Sequence, residues 1–215
     1  PKENTPVGDH ARSEGEGETP QEFVLLKYKL GDSYLVAATL RPETVFGQTN
    51  LWIGPDNEYV KANVDGEHWI VSAPCAQKLK EQQHDVAIIK TVNGAEFIGK
   101  TVIAPMINRP IPVLPAAFCD PNKGSGIVTS VPSDAPDDYI GLRDIQRDKD
   151  VQKKYGLDQA MLDAITPIAI IKTTEYGDQA AVRVVEDMKI KSQHERAKLE
   201  EANISSTKWA SMQAR

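Results

Sequence analysis

YLVAA, residues 34–38, runs directly into TLRPETVFGQTN, residues 39–50. The first piece is apolar and suits a buried strand. The second packs hydroxyls, one guanidinium and one carboxylate into a few positions. Pro42 cannot donate to a ladder, so the strand must end before it. Residues 43–47 then suit a short helical turn, and residues 49–53 return to extended chain. Polar density at the end of a buried strand is where binding sites are commonly built. A second polar loop, SVPSDAPDDY, residues 130–139, follows another apolar strand and is expected to face the first.

Outward from this stretch, the pattern predicts strands with hairpin turns. Residues 22–30 alternate well enough for a lead-in strand, turned by Gly31-Asp32-Ser33. Asp65-Gly66 sits between residues 59–64 and 68–72, and Asn93-Gly94 between residues 86–92 and 96–104; both are hairpin signals. Pro74 opens a short helix to about residue 83. Residues 111–114 and 126–131 read as strands. A helix is expected over residues 136–155, stopped by Gly156. A short helix follows at 158–164, a strand at 167–172, and helices at 179–188 and 193–203. Residues 1–20 read as a linker, 21–203 as the domain, and 204–215 as a tail without pattern. The expected class is mainly β with peripheral helices (α+β): a small closed β-barrel core decorated by helices, not a doubly wound sheet.

The 215 residues suffice for one large domain. Hydrophobic residues make up 40% and charged residues 26%, the balance of an ordinary soluble protein. No apolar run approaches the length that spans a bilayer, so no membrane is expected. The formal charge is −6, which excludes a protein that grips nucleic acid by an overall basic surface. Cys75 and Cys119 are isolated, and the four histidines are scattered singly. No zinc spacing or disulfide framework follows, and no metal is expected. Low cysteine use fits a reducing compartment.

Familiar catalytic signatures are missing: no Gly-x-Ser-x-Gly elbow, no Walker loop, no His-Glu-x-x-His. Gly124-Ser125-Gly126 reads first as a tight turn feeding a strand. Asp137 and Asp138 suit the positive end of a helix, and Asp134 suits a cap. The alternative is that one carboxylate grips an ammonium; adjacent acids on a helix diverge, so at most one of the pair faces a pocket. Thr39 and Thr44 also read as β-branched residues near a strand end, and Arg41 as a surface charge. Their clustering with Glu43 within six residues favours a site.

TLRPETVFGQTN closely resembles the threonine-rich motif of the editing domain of leucyl-tRNA synthetases, in its archaeal and eukaryotic cytosolic form. GSGIVTSVPSDAPDDY, residues 124–139, resembles the second signature of that domain. EGEGETPQEF, residues 14–23, is similar to the segment where the domain enters the catalytic body, and residues 167–202 are similar to its late region. Leu40 stands where bacterial relatives carry a second threonine. The valyl and isoleucyl editing domains share the broad pattern and remain an alternative. So does a non-catalytic tRNA-docking module of the same fold, although the retained polar residues disfavour it.

The resemblance implies hydrolysis of the ester between a wrong amino acid (isoleucine, valine, methionine or norvaline) and the terminal adenosine of tRNA(Leu), with leucine excluded. It assigns Thr39 to positioning substrate and water, Arg41 to supporting polar contacts, Thr44 to the steric block against leucine, and Asp138 to the substrate's α-ammonium. Leu40, Val131, Ser133 and Tyr139 complete the substrate-binding set, with Val131 and Ser133 against the adenosine. No cofactor is needed for editing. ATP and magnesium belong to a catalytic domain whose His-x-Gly-His and Lys-Met-Ser-Lys-Ser motifs do not occur here, so an excised domain is implied. The implied partners are the 3′ end of tRNA(Leu) and the rest of the synthetase in cis. The site would also take a benzoxaborole-type adduct with the terminal adenosine or AMP. The implied compartment is the cytoplasm.

Overall fold

The computed structural model describes residues 22–172 and 176–203. The expected linker and the expected tail lie almost wholly outside the described residues. Two antiparallel strands, β1 (Val24–Leu30) and β2 (Ser33–Thr39), open the chain and pair along their full length, from Leu30↔Ser33 to Val24↔Thr39. Alternation decides the register: Leu26, Tyr28, Leu35 and Ala37 all face the core. A 3₁₀ turn (Pro42–Gly47) leads to β3 (Asn50–Ile53).

The hairpin β4 (Glu58–Val64) and β5 (Glu67–Ser72) turns at Asp65 and Gly66, both at positive φ. Its two-residue loop matches the twist of the strands. Helix α1 (Ala73–Glu81) follows, capped by the Ser72 side chain, which accepts from Cys75 N–H, with Pro74 in its first turn. The chain continues through β6 (Val86–Asn93), β7 (Thr101–Ile103), β8 (Pro110–Pro115) and β9 (Ile127–Ser130). Helices α2 (Pro136–Arg147), α3 (Lys149–Tyr155), α4 (Gln159–Asp163) and α5 (Ala180–Asp187) complete the named elements, and residues 196–203 are also helical.

The strands form one mixed sheet in the order β6-β4-β5-β2-β1-β7-β8-β3-β9. The β2–β5 and β3–β8 pairs are parallel and the rest antiparallel. This order is open, which corrects the expectation of a closed barrel: among the described residues no ladder joins the edge strands. β2 and β9 lie close without a ladder between them, and a side chain from the turn before β9 reaches β2. Ser125 Oγ accepts from Ala38 N–H at 3.1 Å. Gly124 and Gly126 take positive φ there, so the chain offers a turn where closure would need extended backbone.

Three further expectations fail for local reasons. Asn93-Gly94 makes no hairpin: Asn93 and Glu96 form a capping box on a 3₁₀ turn, and β6 pairs with β4. The helix expected over residues 136–155 breaks at Asp148, whose extended backbone ends α2 while its carboxylate caps α3. The strand expected at 167–172 does not form.

Packing divides into three clusters. The main one centres on Trp52, Tyr28, Leu35, Leu51 and Leu114. A second lies under α1, with Val60, Val71, Cys75 and Leu79. The third joins α2 to α5 and the last helical segment through Ile140, Val184, Ile190 and Leu199.

Candidate functional site

The ladder between β3 and β9 brings the two polar loops together. Asn50 pairs with Ser130 and Ile53 with Ile127, and Thr49 N–H extends the pairing to Ser130 C=O at 3.1 Å. The first loop enters this ladder end and the second leaves it. The two motifs, 80 residues apart at Asn50 and Ser130, therefore become neighbours by antiparallel register alone.

The first loop is held by its own polar groups. Thr39 Oγ1 accepts from Arg41 N–H at 3.1 Å. Arg41 C=O accepts twice from Thr44, from its N–H at 3.1 Å and from its hydroxyl at 2.7 Å. Thr44 is buried, and this bond fixes its rotamer and hence where its methyl points. Arg41 Nε donates to Glu43 at 3.0 Å in an exposed pair, which adds little stability. Leu40 is exposed. Arg109 donates to Phe46 C=O at 3.0 Å, and Ile170 lies so close to Gly47 that an added Cβ would stand 3.0 Å from its Cγ2. The apolar run at 167–172 thus covers the turn of the first loop instead of joining the sheet.

The second loop turns tightly, with Asp134 N–H and Ala135 N–H both donating to Val131 C=O. Ser133 is fully buried; its hydroxyl donates to Asp178 C=O at 3.1 Å and its own carbonyl accepts from Ala181 N–H. Asp138 lies beneath the loop, buried on every side. The Trp52 indole N–H donates to its Oδ1 and Val131 N–H to its Oδ2, each at 2.8 Å. Burial pushes its carboxyl up to about 7, against the opposing pull of these two donors. Asp137 points away: it accepts from Arg196 and Asn203. Tyr139 packs on the third cluster, with the Arg143 guanidinium over its ring.

The cap expected of Asp134 is not built. The N-cap of α2 is Ala135, with no side-chain cap bond. Asp134 Oδ2 is buried without a hydrogen-bond partner, and burial raises its carboxyl to about 6, with the Arg41 charge pulling the other way. Arg41 acts on it across the gap between the loops. Near the ladder end, Gln48, Asn50 and Ser130 are fully buried and each keeps one polar side-chain atom without a partner. Two residues of the site go beyond what the sequence suggests: Trp52, which orients Asp138, and Asp134 in any role but a cap. A tryptophan just beyond the first motif, in NLWI, was the available signal for the former.

Concavity alone does not find this site. A groove of about 510 Å³ between Ala116, Asp144, Asp148, Lys154 and Gln193 contains none of the site residues expected from sequence. A smaller depression of about 240 Å³, lined by Gln48, Thr49, Arg109 and Ile168, adjoins the exit of the first loop. Among the described residues, four of the six buried side-chain polar atoms without a partner, on Gln48, Asn50, Ser130 and Asp134, lie at the ladder end and its two loops, as does buried Asp138; the other two are on Arg143 and Gln193. Among the described residues no three or more His, Cys, Asp or Glu side chains gather as metal ligands, and no helix is long and apolar enough to cross a membrane.

Comparison with known proteins gives the family of the chain. Residues 22–167 match the family model "Leucyl-tRNA synthetase, editing domain". The leucine–tRNA ligase of Methanothermobacter thermautotrophicus is 43% identical over 202 residues, covering 94% of this chain and 21% of that protein. The cytoplasmic leucine–tRNA ligase of Pongo abelii is 39% identical over 222 residues, covering 94% of this chain and 19% of that protein. The chain thus spans about a fifth of the curated relatives it matches. A crystal structure of GlLeuRS-CP1 superposes with a TM-score of 0.78 at 32% identity, covering 87% of this chain and 84% of the other. The editing domain of the P. knowlesi cytosolic leucyl-tRNA synthetase shares the fold, with a TM-score of 0.80 at 22% identity over 87% of this chain and 83% of the other. The chain belongs to the family of leucyl-tRNA synthetase editing domains.

Proposed function

We propose that this domain hydrolyses the ester of misacylated tRNA(Leu), releasing isoleucine, valine, methionine or norvaline and sparing leucine. The observation that carries the reading is the pairing of two polar loops at one end of the β3–β9 ladder, above a fully buried carboxylate. A site that selects leucine rejects close apolar analogues weakly, since one methylene is worth about 1–3 kcal/mol. A second site that refuses leucine removes the errors.

Asp138 anchors the α-ammonium in this reading. A carboxylate offers about four lone-pair directions, and Trp52 and Val131 take two. Held from two sides, it is oriented before substrate arrives. An arriving ammonium favours its charged form, so binding releases a proton near neutral pH. Thr44 sets how far the side chain extends, Thr39 and Arg41 shape the loop, and Val131, Ser133 and Leu40 border the terminal adenosine. The ester is already activated, so a positioned water supplies much of the rate. No cofactor takes part; ATP and magnesium serve aminoacylation elsewhere in the synthetase. The partners are the acylated 3′ end of tRNA(Leu) and the rest of the synthetase in cis, in the cytoplasm, with residues 21–203 as the working unit.

The test is release of amino acid from isoleucyl- and leucyl-tRNA(Leu) by a synthetase carrying this domain. Rapid release of isoleucine with leucine retained is expected. Equal sparing of both esters overturns the reading.

A further inference from the structure

Three carboxylates lie within five residues of the second loop, and the structure commits two of them. Asp137 is held by Arg196 and Asn203. Both oxygens of Asp138 accept from Trp52 and Val131. Asp134 alone keeps a buried oxygen with no donor. Its backbone is fixed by the bond from its N–H to Val131 C=O at 2.9 Å, and its neighbour Ser133 is tied to Asp178 and Ala181. The backbone that carries the carboxylate is therefore fixed, and Oδ2 has no hydrogen-bond partner. Asp134 is half-buried, and a carboxylate oxygen shut off from solvent without a partner costs stability and calls for a functional explanation.

We propose that Asp134 is the general base of the hydrolysis. The proposal rests on the hydrolytic reading above. The Asp134 carboxylate takes a proton from a water molecule as its oxygen bonds to the ester carbonyl carbon. The tetrahedral adduct then collapses, the bond from that carbon to the ribose oxygen breaks, and the proton passes from Asp134 to that oxygen. Free amino acid and an intact terminal ribose hydroxyl result, with no other reactant consumed.

The charged surroundings suit a base that cycles between forms. Arg41 faces Asp134 from the first loop, and its own charge is shared with Glu43. Asp137 and Asp138 follow on α2, and Asp178, on the segment against Ser133, pairs with Lys172. Among the described residues no cation makes an ion pair with Asp134. Burial raises it to about 6, so it is a free base at neutral pH and a competent acid once protonated.

The experiment is single-turnover hydrolysis of isoleucyl-tRNA(Leu) against pH, in a synthetase carrying this domain, for the wild type, Asp134→Asn and Asp134→Glu. At saturating enzyme, where the bound ammonium holds Asp138 ionised, the wild-type rate should rise about tenfold per pH unit and level off near pH 6. Asp134→Asn should lose roughly 10²–10⁴-fold and the break with it. Asp134→Glu should keep a break and recover part of the rate. The melting midpoint of Asp134→Asn should be unchanged or raised, since the amide removes a buried charge. An Asp134→Asn rate within threefold of wild type with the break retained overturns the assignment and leaves hydrolysis intact. So does a lowered midpoint with equal rate losses in Asn and Glu, which marks a structural role. A wild type that releases no isoleucine at any pH overturns the hydrolytic reading itself.

Discussion

Replacing Asp138 with asparagine tests the electrostatics of the site through stability, without any substrate. In the unfolded chain this carboxyl titrates near 3.8, and burial in the native fold raises it to about 7. An acid raised on folding binds its proton more tightly in the native state. Its contribution is favourable at low pH and is lost as pH climbs from the unfolded value through the folded one. Between pH 5 and about 7 the unfolded state has released this proton and the native state has kept it. One proton over about two pH units is worth about 3 kcal/mol, at 1.36 kcal/mol per unit. Asparagine does not titrate, so Asp138→Asn lacks this loss. It keeps the shape but meets the Trp52 and Val131 donors with one acceptor where the carboxylate offered two, at a constant cost of about 1–3 kcal/mol. Urea denaturation of both proteins at pH 5 and pH 8 separates the two effects. The stability of the variant relative to wild type should improve by about 3 kcal/mol from pH 5 to pH 8. Were the two donors strong enough to hold Asp138 ionised, both states would be ionised above pH 5 and the change between pH 5 and pH 8 would vanish. A gap that widens toward pH 8, or stays constant, refutes the reasoning.

Two other substitutions probe the first loop and the turn behind it. Thr44→Ala removes the hydroxyl that donates to Arg41 C=O and one methyl of bulk. Hydrolysis of leucyl-tRNA(Leu) should then rise about 10- to 200-fold, the range for one methylene, whereas Thr44→Val keeps the bulk and should still spare leucine. Continued sparing by the alanine variant removes the steric role. Gly126→Ala places a side chain at φ +77° with its Cβ 3.0 Å from Ser72 Cβ. A left-handed conformation costs about 1–2 kcal/mol and overpacking about 1–3, so urea denaturation should show a loss of at least about 2 kcal/mol. A loss under about 0.5 kcal/mol, the scale of a neutral surface change, contradicts the packing.

What could be read from the chain is what local chemistry decides. β1, β2 and the Asp65-Gly66 hairpin follow from alternation and a turn that demands positive φ. The Asn93-Gly94 hairpin was misread because the same dipeptide serves another purpose. Asn93 caps a turn, and Gly94 is glycine because Gly54 C=O would lie 2.0 Å from any Cβ there. That contact spans 40 residues and leaves no local trace. Both loops of the site were legible as polar density after apolar strands. The partners of Asp138 were not, since Trp52 stands 86 residues away and its indole reaches the carboxylate only once β3 and α2 are packed. The 167–172 run has the composition of a strand, yet Ile170 is used to cover Gly47.

The charge balance bears on how such a site meets a polyanion. The chain carries −6, and the one arginine of the first motif is paired with Glu43. Non-specific grip on nucleic acid needs several phosphates neutralised at once. This domain does not present the net charge to do that, and Arg41 in the first motif shares its charge with Glu43. On the proposed function, discrimination acts on the acylated end of the tRNA: a hydroxyl-pinned methyl at Thr44 for the side chain, a buried carboxylate at Asp138 for the ammonium, and the carboxylate of Asp134 for the water. On the same proposal, affinity for the rest of the tRNA falls to the remainder of a synthetase, of whose relatives this chain spans about a fifth. A site that does not hold the nucleic acid tightly also releases a leucylated end quickly, so weak grip and refusal of leucine support the same outcome.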